Sequence, residues 1–340
     1  MTVIKAKFLE KNVDRRLPNA IQCNKFAFRF FSKKCRYELA GKETMNGFCI
    51  SVLSVLTILY GSVALGWTAE PIPVFVSIAP QGYFVQQIGK DRVDVHVLVE
   101  PGADPHTYEP KPQQMVALSK AVLYFATGIE FETAKLAKIS AVNPRMQVVH
   151  TDHGIMKIPM APHDDHDTKN EHSDDHHQGG LDPHIWLSPP LVMLQARSIL
   201  TALQAVDPAH RLAYEANYRA FILEIVDLDD QLRATFDGLK GSSFMVFHPS
   251  WGTFAHTYGL KQVPIEIEGK SPKPAQLRDL IERARSNRIK VVFAQPQFSS
   301  KSAEQISKAI GGRVAVVDPL ARDWANNLRQ VAEEFKHAFE

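Results

Sequence analysis

The sequence predicts an α/β protein of two lobes with mainly parallel sheets, bridged by one long α-helix. Three observations carry that prediction. Short β-rich runs alternate with amphipathic stretches in the first half, the same alternation returns in the second, and a stretch without proline or glycine until Gly238 lies between them. A chain of 340 residues suffices for two cores. Its 45% hydrophobic and 22% charged content fits a soluble globular protein and excludes collagen, a disordered chain and a multi-span membrane protein.

From Pro73 the runs "VFVSI" and "VDVHVLV" read as strands, "PQQMVALSK" as a helix, "AVLYFAT" as a strand, "FETAKLAKI" as a helix and "MQVVH" as a strand. Helix resumes at about Pro189. Residues 208–239 read as one linker helix, because apolar residues recur there at spacings of three and four. The second alternation is "SFMVFH", "GTFAHTYGL", "PAQLRDLIERARSN", "IKVVFAQP", "SAEQISKAI" and "RVAVVD", with a terminal helix from about Asp323. This reading assigns residues 70–207 to an N-terminal lobe and 240–340 to a C-terminal lobe, both Rossmann-like. Ligands of open parallel sheets bind beyond the carboxyl ends of the strands, so the cleft between the lobes is where a site is expected.

The net charge of +2 averages two unlike parts. Residues 1–66 hold 11 Lys+Arg against 4 Asp+Glu, and residues 67–340 hold 28 against 33. The mildly acidic main body carries no nucleic-acid footprint. Residues 44–69 are uncharged and follow a basic stretch, which fits a signal peptide over 45–69, with a retained membrane anchor as the alternative. Residues 1–44 are then either an extension upstream of a true start at Met45 or a disordered basic arm. Cys23, Cys35 and Cys49 all precede the expected cleavage point, so a mature chain has neither disulfides nor thiolate ligands, and any metal must be held by nitrogen and oxygen.

Four stretches place a metal-ligand side chain after a β-type run or loop with proline beside it: Asp104-Pro105-His106, Pro183-His184, His248-Pro249 and Asp318-Pro319. Proline fixes φ and restricts the residue before it, which helps hold a side chain in place. A single residue of this kind is a weak signal; three histidines and an aspartate together, two of the four from each half, are a specific one. His106, His184, His248 and Asp318 supply three imidazoles and a carboxylate, a set suited to tetrahedral Zn²⁺. Nitrogen-rich four-coordination favours zinc over the harder Mn²⁺. His96, His150, His153 and His256 are assigned structural or solvent roles, Glu266 and Glu268 a salt-bridged strand with a part in shaping the cleft as the alternative, and Trp186 and Trp251 a place around the site.

Residues 163–177, "HDDHDTKNEHSDDHH", hold no apolar side chain. Their five histidines, His163, His166, His172, His176 and His177, can raise the local zinc concentration. A flexible loop loses roughly 1–2 kcal/mol of conformational entropy per residue fixed, so it is expected to bind more weakly than strand-end ligands. An auxiliary collector or sensor and a solvated spacer both fit this composition.

The stretches "EPGADPHTYEPKPQQM", "DPHIWLSP", "FHPSWGTFAHTYGL", "IEIEGKSPKPAQL" and "VVDPLARDW" resemble the metal-specific solute-binding proteins of bacterial ABC importers, in the zinc and manganese branch. The resemblance covers roughly residues 73–340 and implies a metal bound by His106, His184, His248 and Asp318. It implies a periplasmic monomer that captures Zn²⁺, or less readily Mn²⁺, and delivers it to an inner-membrane permease. A zinc hydrolase is the enzymatic alternative, but the H-E-x-x-H, G-x-S-x-G and P-loop patterns are absent. An adhesin or metal buffer on the same fold is the other alternative.

Overall fold

The computed structural model describes residues 70–160, 180–267 and 270–339. The expected signal peptide, the basic extension, the histidine-rich run and Glu268 lie outside the described residues.

Two four-stranded parallel sheets form the frame. The first contains β1 (Ile72–Val76), β2 (Val93–Val97), β3 (Leu123–Ala126) and β4 (Gln147–His150) in the order β2-β1-β3-β4. The second contains β5 (Ser243–Val246), β6 (Lys261–Pro264), β7 (Val291–Ala294) and β8 (Arg313–Val316) in the equivalent order β6-β5-β7-β8. Parallel neighbours need crossovers, and helices supply them. These are α1 (Ala79–Gly89), α2 (Pro112–Leu118) and α3 (Glu130–Val142) in the first half, and α6 (Gly252–Tyr258), α7 (Pro274–Ser286) and α8 (Lys301–Ile310) in the second. Central strands β3 and β7 are buried at every residue, whereas edge strands β4 and β8 are exposed at both ends. Coverage by helices on both faces demands this pattern.

Between the sheets run α4 (Pro189–Val206) and α5 (Arg211–Thr235), and the chain ends in α9 (Trp324–Phe339). The buried residues of α5 are Tyr214, Phe221, Ile225, Leu228 and Leu232, whose spacings of seven, four, three and four keep them on one face. The helix packs against α1, α4 and α9. Trp324 of α9 sits edge-on to Phe84 of α1, ring centroids 5.0 Å apart, within a core that joins both sheets, and a second cluster around Met245, Val292 and Ile306 completes the second half. The described residues accordingly form a single compact unit. No helix among the described residues is long and apolar enough to cross a membrane.

The linker is shorter than the sequence predicts. A 3₁₀ turn at Pro208–His210 leads into the α-helix, which stops at Phe236, before Gly238 takes φ +77°. Two elements escaped the sequence reading. "APQGYFVQQIG" carries proline and two glycines, yet it is α1: the proline lies in the first turn, where no intrahelical N–H is needed. A Cβ on its Gly89 would stand 2.4 Å from Val93 Cγ2, so that glycine permits close approach of helix and strand. "KQVP" lacks the β-branched density of its neighbours and forms the short edge strand β6, ending in proline.

Candidate metal centre

Each expected ligand is held by its own stretch of backbone. In Asp104-Pro105-His106 the Asp104 carboxylate accepts the His106 N–H at 2.9 Å and the Thr107 hydroxyl at 3.2 Å, an Asx-type turn that fixes the loop after β2. Asp182-Pro183-His184 repeats the device: Asp182 accepts the His184 N–H at 3.0 Å, at the entry to a 3₁₀ turn over Ile185–Leu187. His248 lies two residues beyond β5. Its N–H donates to Gln295 Oε1 at 3.1 Å and its carbonyl accepts Gln295 Nε2 at 2.5 Å, tying it to the end of the adjacent strand β7. The β5/β7 boundary is the point from which the chain winds in both directions, the usual ligand position in such sheets.

The three rings share one feature. Nδ1 of His106 meets Glu130 Oε2 at 3.0 Å, Nδ1 of His184 meets Asp182 Oδ1 at 2.7 Å, and Nδ1 of His248 meets Glu266 Oε1 at 2.8 Å. A carboxylate at Nδ1 holds the proton there, fixes the tautomer and leaves the Nε2 lone pair free. His248 Nε2 is buried with no hydrogen-bond partner. Burial holds the His248 imidazole below its ordinary pKa against the opposing pull of Glu266. Burial also pushes Asp182 up, but the charge of His184 and hydrogen bonds from His184 and Thr253 outweigh it and hold the carboxyl below the usual range.

The rings of His106 and His184 stand 5.1 and 5.5 Å from that of His248, centroid to centroid. Two imidazoles on one tetrahedral ion, with bonds of about 2.0–2.1 Å, come to roughly 5 Å apart. Among the described residues, however, no group of three or more His, Cys, Asp or Glu side chains is gathered tightly enough to hold an ion as it stands. The rings line a cavity of about 30 Å³ together with Trp186, Gln297 and Phe298. Such a space admits an ion and a water or two. Phe298 stacks on His248 at 4.7 Å and Trp186 lies 5.1 Å from His184, forming apolar walls.

Three of the four expected residues therefore meet at one cavity. Asp318 stands behind its wall: Pro319 and Leu320 line the space, and Asp318 Oδ1 accepts Gln297 Nε2 at 2.8 Å and the Leu320 N–H at 2.9 Å. Glu266 is not part of a salt-bridged strand. It follows β6 and orients His248, because the strand ends two residues earlier and turns it inward to 5% exposure. Trp251 is not beside the cavity either; its ring is packed in the core against Phe254 and Phe335. His96 pairs with Asp94 and stacks on Phe75, and His256 is exposed on α6.

The lobes are stitched beside the site. Asp182 Oδ2 accepts both the N–H and the hydroxyl of Thr253 at 2.8 Å, Trp186 Nε1 donates to the Pro319 carbonyl at 2.8 Å, and Trp324 Nε1 donates back to the Trp186 carbonyl at 2.7 Å. Residues 74–338 match the family described as zinc-uptake complex component A, periplasmic. The chain belongs to that family. Among zinc-uptake relatives, it is 30% identical over 254 residues to the high-affinity zinc uptake system protein ZnuA of Bacillus subtilis (strain 168), covering 74% of this chain and 79% of that protein. It is 26% identical over 288 residues to ZnuA of Yersinia pestis, covering 77% and 89%. It spans about half the length of zinc-binding protein AdcA of Streptococcus pyogenes serotype M3, at 27% identity. A crystal structure of ZnuA superimposes with a TM-score of 0.73 at 42% identity, over 80% of this chain and all of that one. A ZnuA deletion mutant with zinc bound matches equally, at 0.73 and 42%. The two-lobe α/β architecture expected from the sequence is thus that of the zinc-uptake family.

Proposed function

We propose that the chain is a periplasmic solute-binding protein that captures Zn²⁺ in the cavity of His106, His184 and His248 and delivers it to an inner-membrane ABC permease. Asp318, held behind Pro319 and Leu320 at the cavity wall, provides the carboxylate on the fourth side when the ion is bound. The observation that carries this reading is the carboxylate at Nδ1 of all three imidazoles, which leaves three Nε2 lone pairs for one ion. The relatives named for zinc uptake and the zinc-bound ZnuA deletion mutant support zinc as the cargo.

His184 and His248 side chains are each 7% exposed and His106 is 33% exposed. The buried pair forms the fixed part of the site, and His106 closes on an ion that has entered. Zinc is cargo in this reading, as it is for the relatives named for zinc uptake. The chain acts as a monomer, and docking on the permease tilts one lobe to release the ion.

Residues 163–177 serve as an auxiliary collector. Their flanks are joined outside the run by Met160 N–H to Gly180 O at 2.9 Å and Asp182 N–H to Ile158 O at 2.8 Å. Excising the run should therefore leave the tight site intact. Native mass spectrometry with metal analysis, on the mature chain, on the excised form and on His106→Ala, His184→Ala and His248→Ala, tests the whole reading. One tightly held zinc that survives excision and is lost with each histidine is expected. A zinc that follows the loop instead sinks the proposal.

A further inference from the structure

The fourth side of the cavity contains a side chain with no assigned role. Gln297 lines the space, and its Oε1 is buried without a hydrogen-bond partner. Its Nε2 donates to Asp318 Oδ1 at 2.8 Å, and the Leu320 N–H donates to the same oxygen at 2.9 Å. A carboxylate oxygen has two lone-pair sites, so two N–H donors saturate Oδ1. The backbone beneath is pinned as well. The Asp318 carbonyl accepts Asn327 Nδ2 at 2.8 Å, and the Pro319 carbonyl accepts Trp186 Nε1 at 2.8 Å. No hydrogen bond engages Asp318 Oδ2 among the described residues.

We infer that Gln297 is a specificity-determining positioning residue: by occupying one oxygen of Asp318 it restricts that carboxylate to donating a single oxygen to the ion. The inference rests on the proposed reading of Asp318 as the fourth ligand. Three imidazoles and one carboxylate oxygen make four donors, the count that suits Zn²⁺. A carboxylate free to chelate through both oxygens would offer a fifth donor and accommodate Mn²⁺, which favours more oxygen-rich, higher-coordinate sites. The selectivity thus comes from a neutral amide that need not touch the ion. The residue fits that task because its hydrogen-bonding N–H group is spent on the carboxylate while the rest of the side chain closes the wall.

The test compares the wild-type chain with Gln297→Leu and Asp318→Ala, each loaded with Co²⁺ for visible absorption and titrated with Zn²⁺ against Mn²⁺; circular dichroism verifies the fold. Four-coordinate Co²⁺ absorbs strongly, and five- or six-coordinate Co²⁺ weakly. Gln297→Leu should weaken the cobalt bands and lower the preference for zinc over manganese by about tenfold, within the range expected for groups that orient ligands. Cobalt bands and metal preference unchanged in Gln297→Leu, but altered in Asp318→Ala, would overturn the inference alone. If Asp318→Ala leaves zinc affinity and cobalt bands untouched, Asp318 is not a ligand and the underlying reading falls with it. A Gln297→Leu chain that loses zinc as completely as Asp318→Ala would make Gln297 a ligand and not a positioning residue.

Discussion

An imidazole can present Nε2 to a metal only while Nδ1 carries the proton, and in this cavity three separate carboxylates enforce that state. Glu266 is the clearest test, because it and His248 are almost wholly buried and no water can replace it. Glu266→Gln keeps an acceptor for Nδ1–H but removes the charge, and should weaken zinc binding about tenfold in a competition titration; an unchanged affinity would free His248 of its orienting partner. Asp182 does two tasks, accepting His184 on one oxygen and Thr253 on the other. Asp182→Ala strands those buried donors and should cost about 3 kcal/mol in urea unfolding. The sequence revealed the histidines and the two Asp-Pro-His stretches because proline and aspartate act locally there. Glu130 lies 24 residues from His106, and only folding brings the two together. Gln295 and Gln297 also escaped, since amides carry no titratable signal. They nevertheless flank Pro296 directly after β7, the same proline-adjacent arrangement that singled out the expected ligands.

At the scale of elements, the helix between the sheets was legible from its unbroken three-and-four periodicity, and its ends were not. Apolar spacing identifies a buried face, whereas ends depend on turns such as Pro208–His210 and on the positive φ of Gly238. Leu228 sits at the centre of that face and is fully buried. Leu228→Ala should lower unfolding free energy by about 2–5 kcal/mol, the usual result of a cavity in a packed core; a loss well below 1 kcal/mol would mean that the bridge is not tightly packed. The turn between β3 and α3 imposes a second local demand. Gly128 has φ +77°, and a Cβ there would stand 2.1 Å from Asp152 Oδ2 and 2.3 Å from Lys157 Nζ. Lys157 joins the two by donating to Asp152 at 2.7 Å and to the Gly128 carbonyl at 3.2 Å. Both the backbone geometry and the ion pair therefore require glycine next to Ile129 and Glu130, which line the cavity.

For the whole molecule, a cavity shared by two stitched lobes ties metal capture to the stability of the fold. Two groups beside the site push in one direction, while Glu132, raised by burial, opposes them around its ordinary value of 4.5. His248 is held below its ordinary value of 6.5 and Asp182 below 3.8, so the unfolded chain binds protons that the folded chain refuses. Stability from a group with a lowered folded pKa is fully present above its unfolded value and is lost as pH falls through the folded one. The metal-free protein should therefore begin to lose stability as pH drops below about 6.5, where His248 contributes, and lose more below about 3.8, where Asp182 contributes. Chemical denaturation in the presence of a chelator, at closely spaced pH values, measures both limbs. His248→Gln should flatten the upper limb and Asp182→Asn the lower one, each leaving the other in place. Since metal binding requires neutral imidazoles, the zinc-loaded protein should show an additional loss on acidification, as protons compete with the ion for the same nitrogens. Limbs of equal depth in wild type and both variants would remove these two groups from the account and place the acid sensitivity elsewhere in the fold.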